Sequence, residues 1–252
     1  MPRLPVSGAV VAFRAPDGTD DILLQEASGG AVEVGIALLG RLAQAEDGPR
    51  DWAGLSVTDF EFLLLSLRAS RFGQNLALGF ACPACAARVE VGFRVSEYLA
   101  PVRPRAVAGV TPEAGRPGWF RLDGAGFRLP TAGDQAAVAA RDNPGRHMAA
   151  RCLDDAARRA PGRVLRAMAA MAPEVSRPIA GICPACAAGV QAPLHVARVV
   201  VGELRRAAGA VHDDVDAIAR AYHWPEAAIL ALPQDRRRAY AARIRATSAQ
   251  AA

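Results

Sequence analysis

Cys82-Pro83-Ala84-Cys85-Ala86-Ala87 recurs in this chain as Cys183-Pro184-Ala185-Cys186-Ala187-Ala188. The likeness extends beyond the cysteines: Val89 and Val95 have counterparts Val190 and Val196 at the same offset. Two C-x-x-C pairs are the ligand set of a tetrahedral zinc site, and the two-residue gap lets both sulfurs of one turn reach one metal. Proline restricts each turn, so less chain entropy is lost when the metal binds. The pairs lie far apart in sequence, which couples folding to metal binding. The expected ligands are Cys82, Cys85, Cys183 and Cys186, holding one structural Zn2+ per chain.

Other uses of paired cysteines are iron in a rubredoxin-like site, a redox pair, or disulfides. A redox C-x-x-C sits between a strand and a helix; both pairs here are flanked by strand-like segments. Disulfides need an oxidising compartment. Met1-Pro2-Arg3-Leu4-Pro5 lacks the charged start and apolar run of a signal peptide, so a cytosolic location is expected. Many zinc knuckles carry glycine after the second cysteine, where a positive φ suits the turn; this chain has Ala86 and Ala187. Cys152 stands alone in a helical pattern and is expected to be a small buried apolar residue.

At 252 residues the chain can form one large or two small domains, and no apolar run is long enough to span a bilayer. Net charge is +5, but all thirty basic residues are arginine and alanine is abundant, a pattern of coding bias more than of partner choice. The dense run Arg236-Arg237-Arg238 fits a solvated helix face. Aromatics do not interleave with arginines, so nucleic acid is not the expected partner. A zinc-ribbon nucleic-acid binder, the alternative function, needs arginines on the ribbon; its first hairpin offers Arg88 and Arg94.

Ala9 to Phe13 is a strand candidate, and Asp17-Gly18 is expected to turn the chain. Helical spacing follows from Val32 to Ala43, then a polar loop from Glu46 to Arg50. Thr58 and Glu61 match a capping box, and Phe60, Leu63, Leu64 and Leu67 share a face of a helix that should end near Gly73. Leu76 to Phe80 leads into the first knuckle; Val89, Val91 and Phe93 alternate with charged residues in its exit strand. Pro101 to Pro117 is expected to be an exposed linker. Gly126 to Leu129 is a strand, with Thr131 or Asp134 able to cap the next helix. Helices are expected over 134–140, 146–160 and 161–171. Ile179 to Ile182 enters the second knuckle. From His195 the pattern is helical to the end, broken at Trp224-Pro225 and Leu232-Pro233 and fraying from Thr247.

Catalytic patterns are absent. There is no G-x-S-x-G or H-E-x-x-H, and a chain without lysine cannot form a P-loop. His212 and His223 can share a helix face but lack the i, i+4 spacing of a metal pair. With four thiolates on one zinc no coordination position stays open, so no enzyme is expected.

The order of motifs carries a resemblance. The helix Val57-Thr58-Asp59-Phe60-Glu61-Phe62-Leu63-Leu64-Leu65-Ser66-Leu67-Arg68 precedes the first knuckle, and Phe127-Arg128-Leu129-Pro130-Thr131-Ala132-Gly133-Asp134 follows it. The second knuckle feeds a long helical stretch closing on Tyr222-His223-Trp224-Pro225-Glu226-Ala227-Ala228-Ile229-Leu230-Ala231-Leu232-Pro233. Over roughly Leu55 to Ile244 this resembles the baseplate-protein family of contractile-tailed phages and phage-like injection systems, related to the T-even baseplate hub assembly protein. The alanine after each knuckle departs from the usual pattern. The resemblance implies a non-enzymatic structural or assembly role, with other baseplate or hub proteins as partners. The expected fold is α+β: zinc-ribbon-like hairpins joined by the two knuckles, surrounding helices and a helical C-terminal arm. The expected division is 1–54 as an N-terminal α/β segment, 55–210 as the ribbon-containing body and 211–252 as the arm. In that arm Tyr222, Trp224 and Leu230 are candidate partner anchors, with Arg237 in the surrounding charge.

Overall fold

The computed structural model describes residues 1–45 and 51–250, with side chains through Thr247; the loop expected over Glu46 to Arg50 lies outside the described residues. The fold mixes helices with small antiparallel hairpins. Chain order runs β1 (Ala12–Phe13), α1 (Gly18–Glu26), α2 (Ala31–Leu42), β2 (Ala43–Gln44), α3 (Val57–Phe72), β3 (Asn75–Ala81), β4 (Arg88–Arg94) and α4 (Val95–Leu99). A three-stranded sheet follows, β5 (Thr111–Pro112), β6 (Trp119–Leu122) and β7 (Ala125–Arg128). Then come α5 (Ala132–Val138), α6 (Pro144–Cys152), α7 (Asp155–Arg159) and α8 (Pro161–Met171). The second hairpin is β8 (Ile179–Ile182) and β9 (Gly189–Ala192). Helices α9 (Val196–Ala208), α10 (Val211–Tyr222), α11 (Glu226–Leu230) and α12 (Gln234–Gln250) complete the chain.

The main core forms around α3, where Phe60, Leu63, Leu64, Leu65 and Leu67 are fully buried against α2 and α9. The expected division at residue 54 does not cut this core, which joins Leu4, Val34 and Leu38 to Leu64, Val200 and Val201. The cap of α3 differs from the expected Thr58–Glu61 box. Ser56 caps it, accepting from the Asp59 N–H at 3.1 Å. Thr58 and Glu61 are buried and make tertiary bonds instead: Thr58 Oγ1 donates to Pro173 O (2.9 Å), and Glu61 accepts from Ser176 N (3.0 Å) and Ser176 Oγ (2.7 Å). These contacts tether the segment that enters the second knuckle.

Other expectations shift for equally local reasons. Asp17-Gly18 opens α1, because Asp17 accepts from the Thr19 N–H and forms a capping box with Asp20. Gly18 lies so close to α11 that a Cβ there would meet Leu230 Cα at 2.8 Å. The strand expected from Ala9 shortens to β1, with a single bridge between Arg3 and Val10. The 101–117 segment is not wholly a surface linker: Val102 is buried and β5 pairs with β6. The helix expected over 146–160 splits because Leu153 bridges Phe127 and Asp154 caps α7. The last helix runs through Thr247 to Gln250.

The structure exposes a second internal repeat. Phe13-Arg14-Ala15-Pro16-Asp17-Gly18-Thr19-Asp20 corresponds to Phe127-Arg128-Leu129-Pro130-Thr131-Ala132-Gly133-Asp134. In each copy a strand enters a helix through a capping box closed by the aspartate. Arg14 grips Asp20 through both terminal nitrogens (2.8 and 2.7 Å), as Arg128 grips Asp134 (2.5 and 2.8 Å). A second arginine near the end of the next helix donates its Nε at 2.7 Å: Arg41 to Asp20, Arg151 to Asp134. Two residues later the chain returns beside the opening phenylalanine, Ala43 on Phe13 and Leu153 on Phe127. Each repeat precedes one knuckle.

Candidate metal centre

Each knuckle is a hairpin whose ladder closes immediately before the first cysteine. In β3–β4 the register ends at Ala81 opposite Arg88, and in β8–β9 at Ile182 opposite Gly189. The Cys82 N–H then donates to Ala87 O (2.8 Å) while Ala86 N–H donates to Cys82 O (2.8 Å). In the second knuckle the matching bonds run from Cys183 to Ala188 and from Ala187 to Cys183, both 2.9 Å. Completing this turn needs a left-handed residue after the second cysteine. Ala86 and Ala187 supply it at φ 59° and 57°, at a steric cost of roughly 1–2 kcal/mol each for a residue with a Cβ.

The hairpins face each other, β3 beside β9 and β4 beside β8. Gly181 permits the approach: a Cβ there would stand 2.8 Å from Val91 Cγ2. Val89, Val190, Phe80 and Val91 form the apolar seam behind the cysteines. This brings all four sulfurs within 4.8 Å of one another. Cys82 Sγ lies 3.8 Å from Cys186 Sγ, and Cys85 Sγ 3.7 Å from Cys183 Sγ. A tetrahedral metal with thiolate bonds of about 2.3 Å has an edge of about 3.8 Å, so the spacing fits one ion held by four sulfurs. The first cysteine of each pair is buried and the second exposed.

Electrostatics distinguish the four thiols. The N–H of Cys186, with that of Ala185, stabilises the Cys183 thiolate and outweighs desolvation, holding its pKa at about 7. At Cys85 the Ala87 N–H pulls the pKa down, but the neighbouring thiols of Cys186, Cys183 and Cys82 prevail and push it up to about 12. A metal must displace the proton that the sulfurs retain between them.

The other candidates fall elsewhere. Cys152 is buried beside Asp134 and Met148, and burial raises its thiol to about 11. His212 and His223 are exposed on α10 and at its end; among the described residues the four cysteines are the group able to hold a metal. The ribbon surface carries Arg88, Arg94 and Glu90 on its first hairpin and no charge over 178–193. Tyr222 and Trp224 are about two-fifths exposed and pack together, each meeting Tyr240 edge to face in an aromatic cluster. Leu230 is half-buried on α1.

Arg237 requires a correction. It is 1 % exposed, not part of a charged rim. Its guanidinium pairs with Asp21 and faces Asp214 at 3.9 Å, while Gln234 Nε2 donates to Asp21 (3.0 Å) and Arg245 Nη2 to Asp214 (2.8 Å). The sequence signal that was available is the Leu-Pro start of α12: it sets Gln234 and Arg237 one turn apart on the face turned to α1.

Among the described residues no helix is long and apolar enough to cross a membrane. Compared with protein-family models, curated proteins and solved structures, the chain gives no match.

Proposed function

We propose that this protein is a non-enzymatic structural or assembly component of the baseplate or hub of a contractile tail or phage-like injection system, its two hairpins fastened by one structural zinc ion. The observation that carries the structural role is the closed set of four sulfurs. Four thiolates complete a tetrahedral zinc shell and leave no position for a substrate or an activated water. Zinc suits the site because thiolates select soft ions and a tetrahedral sulfur set accommodates Zn2+ without redox chemistry. The baseplate assignment rests on the order of motifs: the helix before the first knuckle, the Phe127–Asp134 segment between the knuckles, and the Trp-Pro and Leu-Pro helices after the second. The exposed aromatic cluster of Tyr222 and Trp224 is the contact offered to the neighbouring tail protein, because large aromatics at bends anchor interfaces.

Two measurements test this reading. Elemental analysis of purified protein should give one zinc per chain, abolished by Cys85→Ala and unchanged by Cys152→Ala; absence of stoichiometric metal refutes the zinc. Trp224→Ala should leave a folded, zinc-loaded protein that no longer associates with the neighbouring tail proteins and yields no assembled tails. Normal assembly with that variant refutes the docking role.

A further inference from the structure

Charge in this chain is unevenly distributed. Residues 103–171, between the two knuckles, contain twelve arginines and six acidic residues, whereas the rest of the chain has eighteen against nineteen. Coding bias toward arginine would not leave one segment uncompensated and the remainder balanced.

The structure increases the contrast. Five of the six acidic groups are already engaged. Asp134 is buried between Arg128 and Arg151; Glu113 holds Arg121 and Arg116; Asp123 holds Arg163; Asp155 holds Arg158. Asp154 caps α7 and accepts from the Gly126 N–H. Arg103, Arg105, Arg141, Arg146, Arg159 and Arg166 remain exposed and form no ion pair among the described residues. Arg166 lies on α8, Arg159 just before it, and Arg105 beside it, its N–H donating to Ala170 O at 2.8 Å. Val164 and Ala167 bury one side of that helix, while Arg163, Leu165 (50 % exposed) and Arg166 stand on the solvent side.

We propose that this surface docks an acidic segment of a partner protein that also carries an apolar side chain. Guanidinium groups bind carboxylates in a bidentate fork, and Leu165 gives a partner side chain an apolar contact that a phosphate backbone cannot use. Nucleic acid fits less well. The indole of this segment, Trp119, has the Arg116 guanidinium 3.2 Å above its ring, so that face is closed to a base. The inference rests on charge and exposure and is independent of the baseplate reading.

The test is fluorescence anisotropy on the full zinc-loaded chain, with a labelled helical peptide of about twenty residues bearing Glu and Leu on one face. Duplex DNA of similar length is the second probe. The peptide should bind and weaken as salt rises. Arg159→Ser/Leu165→Ser/Arg166→Ser should reduce its affinity about tenfold with melting temperature and zinc content unchanged. Arg198→Ser/Arg206→Ser, exposed arginines on α9, should leave it unchanged. Tighter binding of DNA than of peptide, no binding of the peptide, or an equal loss in the α9 variant would each overturn the proposal.

Discussion

Ala86 and Ala187 hold a conformation that most proteins assign to glycine, and both do so at the same place in matched turns. A Cβ in the left-handed region costs roughly 1–2 kcal/mol, while glycine loses about 0.5–1 kcal/mol more chain entropy on folding. The first effect is the larger. Ala86→Gly and Ala187→Gly should therefore each stabilise the zinc-loaded protein by about 0.5 kcal/mol or slightly more, read as a higher urea midpoint at unchanged slope. A lower midpoint would mean that the left-handed turn is not the metal-bound conformation. Arg237 is the opposite case, a charge whose removal leaves two acids buried. Asp21 would keep Gln234 and Asp214 would keep Arg245, but neither would have the cation between them. Arg237→Met should cost about 3 kcal/mol while leaving zinc content intact, and a loss under about 1 kcal/mol would show that the pair is already solvated.

At the scale of elements, the repeated strand-to-helix entry makes a matched prediction. Burial would raise the pKa of Asp134, but the Arg128 guanidinium, the Thr131 N–H and Arg151 hold it well below the carboxylate range; Asp20 is lowered against its burial by Arg14, the Asp17 N–H and Arg41. A carboxylate depressed in the folded state contributes its full stability above the unfolded pKa of about 3.9 and loses it as pH falls through the folded value. Asp20→Asn and Asp134→Asn should thus both be destabilised at pH 7, by about 2–3 kcal/mol, and should converge on the parent as pH drops below about 4. A penalty that stays constant with pH would show that shape, not charge, matters at these caps. Much at this scale was legible from residue order alone: α2, α3, both hairpins, the Thr131 cap and the proline-started helices. What was missed has a common origin. The Thr58–Glu61 spacing fits a capping box, but burial drew both side chains into contacts more than a hundred residues away, and no local pattern encodes that. The Phe-Arg-x-Pro-x-x-x-Asp repeat was visible in the letters at 13 and 127; its first copy was obscured because Asp17-Gly18 also has the composition of a turn.

Across the whole molecule, apolar burial among the described residues is divided into four clusters, and the metal centre belongs to one of the two smallest. The main core and the clusters of 122–171 and of α10–α12 contain no cysteine of the site. Among the described residues, Val89, Val190, Phe80 and Val91 stand behind the sulfurs. Burying side chains of that size contributes roughly 1.5–3 kcal/mol each, too little to hold two two-stranded hairpins against an ordering cost of about 1–2 kcal/mol per residue without the ion. The helices around α3 need no such help. Chelation should therefore separate the hairpins without melting the body: far-UV circular dichroism should keep most of its helical signal, while 75–94 and 179–192 become open to protease and to amide exchange. Val196 and Leu194 anchor the second hairpin in the main core, and Val95 and Leu76 anchor the first, so both arms should remain attached at their bases and close again when zinc is returned. Loss of all helix on chelation, in one transition, would mean that the knuckles nucleate the fold instead of fastening a body that forms without them.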